Sequence, residues 1–359
     1  MTCIFIGESY NQQEALYGEP FVGTAGQELY RLLARSGWPC QPLAYSYISS
    51  FTMSQRWSRF PYPMLSCFTE CPKDNLVESF YGTLKGSLPL DRTLPARKFG
   101  ASTHFVLEQH AESIHQLHAR LEQEKPNLIV ALGATACWAL GLGPAVTKLR
   151  GFVHETQWGK VLPTYSPSAV LRNWSLRVPV LLDLVKAKRE MAFPEIRTIE
   201  REIWTEPTIE DLWLWWETYG KHSQLLSVDI ETLRRQQVSE VGFASDSNHA
   251  LHIPFAWQDK GYHSWWPDTK TEAEAWRFVK HVCESPIPKI GQNLVQFDSY
   301  WLAKSMGIVT RNILLDTMQL SHCWQPELEK GLGYLGSIWL DERSWKSIRK
   351  DSQKEKDND

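Results

Sequence analysis

Residues 127–147, "NLIVALGATACWALGLGPAVT", run for 21 positions without a charged side chain. A stretch that long could cross a bilayer as one helix. Glycines at 133, 141 and 143 and the proline at 144 interrupt it, so strand, turn and helix are expected instead. A short apolar strand feeding a helix is the building unit of a doubly wound parallel sheet, and the unit recurs along the first 190 residues. "CIFIG" is expected as a buried strand, and "TAGQELYRLLAR" (24–35) as an amphipathic helix ending near Gly37. "PLAYSYISSF" has the composition of a second strand. "VLEQHAESIHQLHARLEQEK" predicts a helix with an apolar stripe at Val106, Ile114, Leu117 and Leu121, its His110, His115 and His118 lying on a solvated face. "KVLPTYSP" predicts a strand leading into a helix from about Ala169 to Lys188. Residues 54–100 form a polar, aromatic, proline-punctuated insertion with no assignable structure.

The character changes near Phe193–Pro194. "REIWTEP" is expected as an edge strand. In "PTIEDLWLWWETYGK", Thr208 stands three residues before Asp211, a variant of the capping box that starts a helix. "LLSVDIET", "VSEVGFASDSNHALHIPF" and "PIPKIGQN" supply strands in hairpin order, with helices between and after them. The expected class is α/β: a parallel doubly wound domain at 1–193, a mixed-sheet domain at 194–345, and a polar tail at 346–359. With 359 residues and a net charge of −3, any nucleic-acid binding must rest on local basic patches. Arg234, Arg235, Lys304 and Lys346 are candidates for phosphate contact. Seven cysteines without a C-x-x-C pair, and an N-terminus without a basic leader, point to a cytoplasmic protein with free thiols.

In "LLSVDIETLRRQQ", Asp229 and Glu231 are two apart on an expected strand, which aims both carboxylates to one side. Some sixty residues later, "KIGQNLVQFDSYWL" runs from a strand ending at Asn293 to a helix starting near Asp298. "LLDTMQLSHCW" then carries Asp316. This ordered set resembles the DnaQ-like 3′–5′ exonucleases, and most of all the proofreading domain of phage-type family A DNA polymerases. The resemblance covers about residues 200–345. It implies a ribonuclease H-like fold and a site for two Mg²⁺ or Mn²⁺ ions on Asp229, Glu231 and Asp298. Two such ions activate water and neutralise a leaving oxygen, and hard ions favour carboxylates. Thr232 and Asn293 would hold the terminal nucleotide, and Asp316 would either support the site or cap a helix. Phe297 and Trp301 are expected in the core. Two departures stand out. Four residues separate Asn293 from Asp298, and no Tyr or His four residues before a carboxylate follows Asp316. The fourth ligand is therefore absent or comes from a partner, for which a family A polymerase chain is the expectation.

The first domain carries a second resemblance. "FIGESYNQQEALYGEPFVGTAGQELYRLL", "LIVALGATACWAL", "KLRG" and "VLPTYSPSAVLR" resemble, in order, the blocks of the iron–sulfur type uracil-DNA glycosylases. The resemblance implies a pocket in which Phe21 stacks on an extruded base and Glu8 positions a water. Ser166 stands where relatives have a His, and Ser49 and Ser50 stand where they have a base-reading Asn. Only Cys3 precedes the first block, so no iron–sulfur cluster is expected. The combined expectation is a metal-dependent 3′–5′ DNA exonuclease fused to a glycosylase-like domain retained for contacts. The alternative is a silent DNA-binding or polymerase-docking module.

Overall fold

The computed structural model describes residues 3–40, 53, 57, 59–99, 101–233, 237–259 and 261–341. The chain forms two compact units. The first comprises residues up to Thr198 together with those from Gly333 onward, and the second is Ile199–Leu332. The boundaries expected at 193 and 345 thus fall at 198 and 332.

In the first unit β1 (Cys3–Ser9) leads through α1 (Gln12–Tyr17) and α2 (Thr24–Arg35) to β2 (Met64–Phe68). The insertion then supplies β3 (Tyr81–Gly82), β4 (Leu90–Asp91), β5 (Arg97–Phe99) and β6 (Ser102–Leu107). There follow α3 (Glu108–Glu124), β7 (Leu128–Leu132), α4 (Ala134–Ala139), α5 (Val146–Leu149), β8 (His154–Thr156), β9 (Gly159–Thr164), α6 (Pro167–Arg172) and α7 (Arg177–Glu190). The main sheet runs β2-β1-β7-β9-β8, parallel apart from the last pair. Its central strands are apolar at nearly every position because both faces are covered. Ile4, Ile6, Ile129 and Ala131 face a core shared with Ile114, Leu117 and Leu121 of α3. The alternate residues Phe5, Leu128, Val130 and Leu132 face α2 and α7 through Leu29, Leu33, Val180 and Leu184.

The strand expected at 42–51 lies outside the described residues; beside β1 runs β2, with Gly7 opposite Ser66. Two local expectations change. The single helix expected from 169 to 188 is broken: Asn173 ends α6 and caps the turn Trp174–Leu176, accepting the Ser175 N–H at 3.2 Å, before α7 starts. The three histidines of α3 do not form a merely solvated face. His110 lies 2.8 Å from the Glu70 carboxylate and His115 2.6 Å from Asp91. His118 meets the Ala139 carbonyl at 2.8 Å and stacks on Trp158. Two of the three therefore bind the insertion to the helix.

The second unit contains β10 (Glu202–Trp204), α8 (Ile209–Thr218), β11 (Leu226–Leu233), β12 (Gln237–Ala244), β13 (His249–Pro254), the ribbon β14 (Ala256–Asp259) and β15 (Gly261–Ser264), α9 (Thr269–Glu284), β16 (Lys289–Gly291), α10 (Asp298–Met306), β17 (Ile313–Asp316) and α11 (Thr317–Trp324). The capping box forms as the spacing predicts, Thr208 and Asp211 bonding each other's amides at 2.9 and 3.2 Å. The sheet order is β10-β13-β12-β11-β16-β17. Strands β11 to β13 are antiparallel neighbours, and β16 and β17 extend the sheet in parallel. This is the mixed order of a ribonuclease H-like fold. On β11, Leu226, Val228 and Ile230 enter the core while Asp229 and Glu231 point away from it. Phe297 and Trp301 pack against the same core.

The chain then enters α12 (Leu332–Trp339), which packs with the first unit. Arg150, buried and paired with Asp183, donates to the Ser337 hydroxyl at 2.9 Å. Lys186 Nζ donates to the carbonyls of Gly151, Ser337 and Leu340, each at 2.6 Å. Among the described residues no helix is long and apolar enough to cross a membrane.

Candidate functional site

Both sheets end in polar groups at the carboxyl ends of their strands, where α/β folds place ligands. In the second unit β11 carries Asp229 and Glu231 on its open face, both solvent-exposed. A register shift follows between Glu231 and Thr232, and Thr232 is half-buried beyond it. Asp298 starts α10. It is 1% exposed, and its Oδ1 accepts the Ile230 N–H at 2.8 Å, which fixes α10 against the middle of β11. Burial pushes the Asp298 carboxyl up to about 7, and the Asp229 charge beside it adds to the rise. Asp229 is raised in turn by the protein around it and by Glu231. Asp298 thus feels the charge of Asp229, and Asp229 that of Glu231.

Asn293 and Asp316 form a second group. Asn293 adopts a left-handed conformation (φ 62°), and its N–H donates to Asp316 Oδ1 at 3.0 Å. Asp316 also accepts from Val295 N at 3.2 Å, and from Met318 N and Gln319 N at the start of α11 at 3.0 and 3.4 Å. Four amides thus occupy this carboxylate, in keeping with the helix-cap alternative. The donor chemistry of Asp229, Glu231 and Asp298 is right for a hard divalent ion. As arranged, however, no three His, Cys, Asp or Glu among the described residues are grouped to hold a metal.

The first unit holds a cavity of about 400 Å³ at the ends of β1, β2 and β7, and it brings Glu8, Phe21 and Ser166 to one place. Glu8 Oε1 accepts the Thr135 N–H at 3.0 Å. Gly133 turns the chain there with φ 103°, and a Cβ on it would stand 2.7 Å from Glu8 Cδ. Phe21 is buried with φ 61°, and the Trp57 indole N–H holds its carbonyl at 2.8 Å. Ser166 is committed to its own helix, its Oγ accepting the Ala169 N–H at 3.3 Å and meeting Ser168 Oγ at 3.0 Å. Ser49 and Ser50 lie outside the described residues; Ser66 of β2 is among the hydroxyl-bearing residues that line the cavity. Arg97, from the unassigned insertion, also lines it. Nothing local in the sequence marked Arg97, since it reaches the cavity only through the pairing of β5 with β6.

A doubly wound α/β unit with a base-sized cavity at its strand ends defines a class, and residues 2–191 match the family model of the uracil DNA glycosylase superfamily. The chain belongs to that superfamily. Over 190 residues it is 32% identical to the Type-4 uracil-DNA glycosylase of Thermotoga maritima, covering 52% of this chain and 75% of that one. Among solved structures, the EXD2 exonuclease domain soaked in Mg and dGMP is similar at 18% identity and a TM-score of 0.23, over 37% of this chain. This chain spans 65% of that domain's length. The same domain soaked in Mn and Mg gives 17% identity and a TM-score of 0.26, over 40% of this chain and 70% of that one.

Proposed function

We propose that the chain is a DNA-processing enzyme whose second unit hydrolyses DNA from 3′ ends, with the glycosylase-like unit contacting the same nucleic acid. The observation that supports this is the junction of β11 and α10. There Asp298 is buried against the Ile230 amide of the strand that presents Asp229 and Glu231. A buried carboxyl set next to a second carboxylate is costly to keep and is characteristic of functional sites. A Mg²⁺ or Mn²⁺ requirement belongs to the proposal, with Asp229, Glu231 and Asp298 as ligands. So does a partner, such as a family A polymerase chain, that supplies a further carboxylate and the 3′ end to be proofread.

The second proposal, a catalytically silent DNA-binding or polymerase-docking module, is favoured by one observation: no metal-holding group of three is assembled among the described residues. The deciding experiment is degradation of a labelled single strand with Mg²⁺ or Mn²⁺, beside the Asp229→Ala, Glu231→Ala double variant. Metal-dependent loss of 3′ nucleotides that vanishes in the variant supports the enzyme. Failure to cleave, with or without the partner chain, supports the silent module.

A further inference from the structure

The open face of the second unit's sheet carries more than the two carboxylates of β11. In an antiparallel sheet, residues directly opposite one another share a face. The register sets Asp229 opposite Gly242, and Gly242 opposite His252. The neighbouring row sets Glu231 opposite Glu240. The alternate residues Val228, Val241 and Leu251 enter the core, so Asp229, Glu231, Glu240 and His252 stand together on the other face. His252 and Glu240 are both partly exposed there, with His252 Nε2 3.1 Å from Glu240 Oε2.

Only Gly242 lies between Asp229 and His252. Two strand spacings hold the backbones of that pair about 10 Å apart, and no side chain rises from the strand between them. Nothing in the chain itself calls for glycine here. Gly242 is not among the glycines with positive φ. A Cβ built on it would meet nothing nearer than the Asp229 carbonyl, at 3.7 Å. A glycine inside a strand weakens the strand, and one that the backbone does not require marks close approach by a ligand. The row beyond it, Ser227, Ala244 and Ala250, is small as well, so the floor between the two walls stays low.

Glu240 sets the chemistry of the imidazole. A carboxylate on Nε2 makes that nitrogen the donor, which leaves the Nδ1 lone pair of the neutral ring as a proton acceptor. A histidine steered in this way by a carboxylate has the form of a general base. We propose that His252 is a catalytic residue of the second unit, the base that acts on a water lying over Gly242, with Glu240 as its positioning residue. The inference rests on the exonuclease reading and gives it a proton acceptor. His252 Nδ1 takes one proton from the water as the water oxygen bonds the phosphorus of the last phosphodiester. The P–O3′ bond breaks, its electron pair leaves on the 3′ oxygen, and that oxygen takes a proton from solvent. The imidazolium then returns its proton to solvent.

The test uses the full chain with isotopically labelled histidine, the His252 signals being assigned by their loss in His252→Gln. The probe is the product nucleotide, deoxythymidine monophosphate, with Mg²⁺. Its addition is expected to shift the His252 ring signals. Gly242→Val places a side chain that suits a strand where there is room for it. It should keep or raise the melting temperature and weaken nucleotide binding by about 10-fold or more. On a labelled single strand, His252→Gln should lower kcat about 100-fold at an unchanged KM, added imidazole should restore part of the loss, and Glu240→Gln should fall between. A His252 that merely quiets the facing Glu231 and Glu240 would move stability alone. Nucleotide binding that leaves the His252 signals untouched would overturn the proposal, as would a folded His252→Gln that degrades the strand at the wild-type rate; both leave the exonuclease reading standing. A wild type that leaves the strand intact would overturn that reading, and this proposal with it.

Discussion

Asp298 shows how a single side chain links the second site's function to its stability. Its folded-state carboxyl is raised to about 7, through burial first and Asp229 second. Between the ordinary carboxylate range and pH 7 the folded chain therefore binds more protons here than the unfolded chain does. The stability this group contributes is complete at low pH and is lost as pH rises through about 7. Asp298→Asn keeps an oxygen for the Ile230 amide and removes the charge. In metal-free buffer it is expected to stabilise the second unit at pH 8 by on the order of 1–3 kcal/mol, with little effect near pH 4. Urea unfolding at the two pH values checks this, and equal effects at both would be inconsistent with it. The same variant should abolish any nuclease activity. In the first unit, Gly133→Ala meets both a left-handed backbone and Glu8 Cδ at 2.7 Å. A loss of about 1–3 kcal/mol is expected, together with displacement of Glu8 from the Thr135 amide, visible as a shift of that amide resonance.

At the scale of elements, Asp316 joins β17 to α11 and, through Asn293 and Val295, holds the loop that leads into α10. Asp316→Ala removes the acceptor of four amides and should cost about 2–4 kcal/mol, whereas Asp316→Asn should recover a good part of it. Denaturant titration of both variants distinguishes this cap from a ligand role, in which Asn would be as damaging as Ala to activity alone. Elements whose cause is local were legible in the sequence. The helix Thr24–Arg35 follows its apolar spacing, and Thr208 with Asp211 predicts its own box. Elements chosen by distant partners were not. Strand β2 gains its place by pairing with β1 across more than fifty residues of chain, and it lies in the insertion at 54–100, which carries no periodic signal. The break before α7 did have a local signal, in Asn173 as a cap and Pro179 in the first turn, and the apolar run outweighed it. In the sites, the carboxylates at β11 and α10 were legible as an ordered motif. Arg97 and Ser66 were not, because only the sheet register brings them to the cavity.

For the whole molecule, the last described segment belongs energetically to the first unit. Chain truncated after Leu332 would leave Lys186 without the carbonyls of Ser337 and Leu340, and Arg150 without the Ser337 hydroxyl. Leaving such buried cations short of partners typically costs about 2–5 kcal/mol. Scanning calorimetry of chain 1–332 should therefore show a lower transition for the first unit and an unchanged one for the second, the two units unfolding as separate transitions.

The return of Gly333–Asp341 to the first unit makes the second an insertion, joined covalently at both of its ends. A nick in either connection would leave two fragments with no covalent link, held together by the contacts of α12 with the rest of the first unit. Arg150, Lys186 and Arg189, the last paired to Asp341 at 2.8 Å, supply that hold on α12. Limited proteolysis would thus give two fragments on a denaturing gel and one particle in a sizing column for as long as those buried contacts hold.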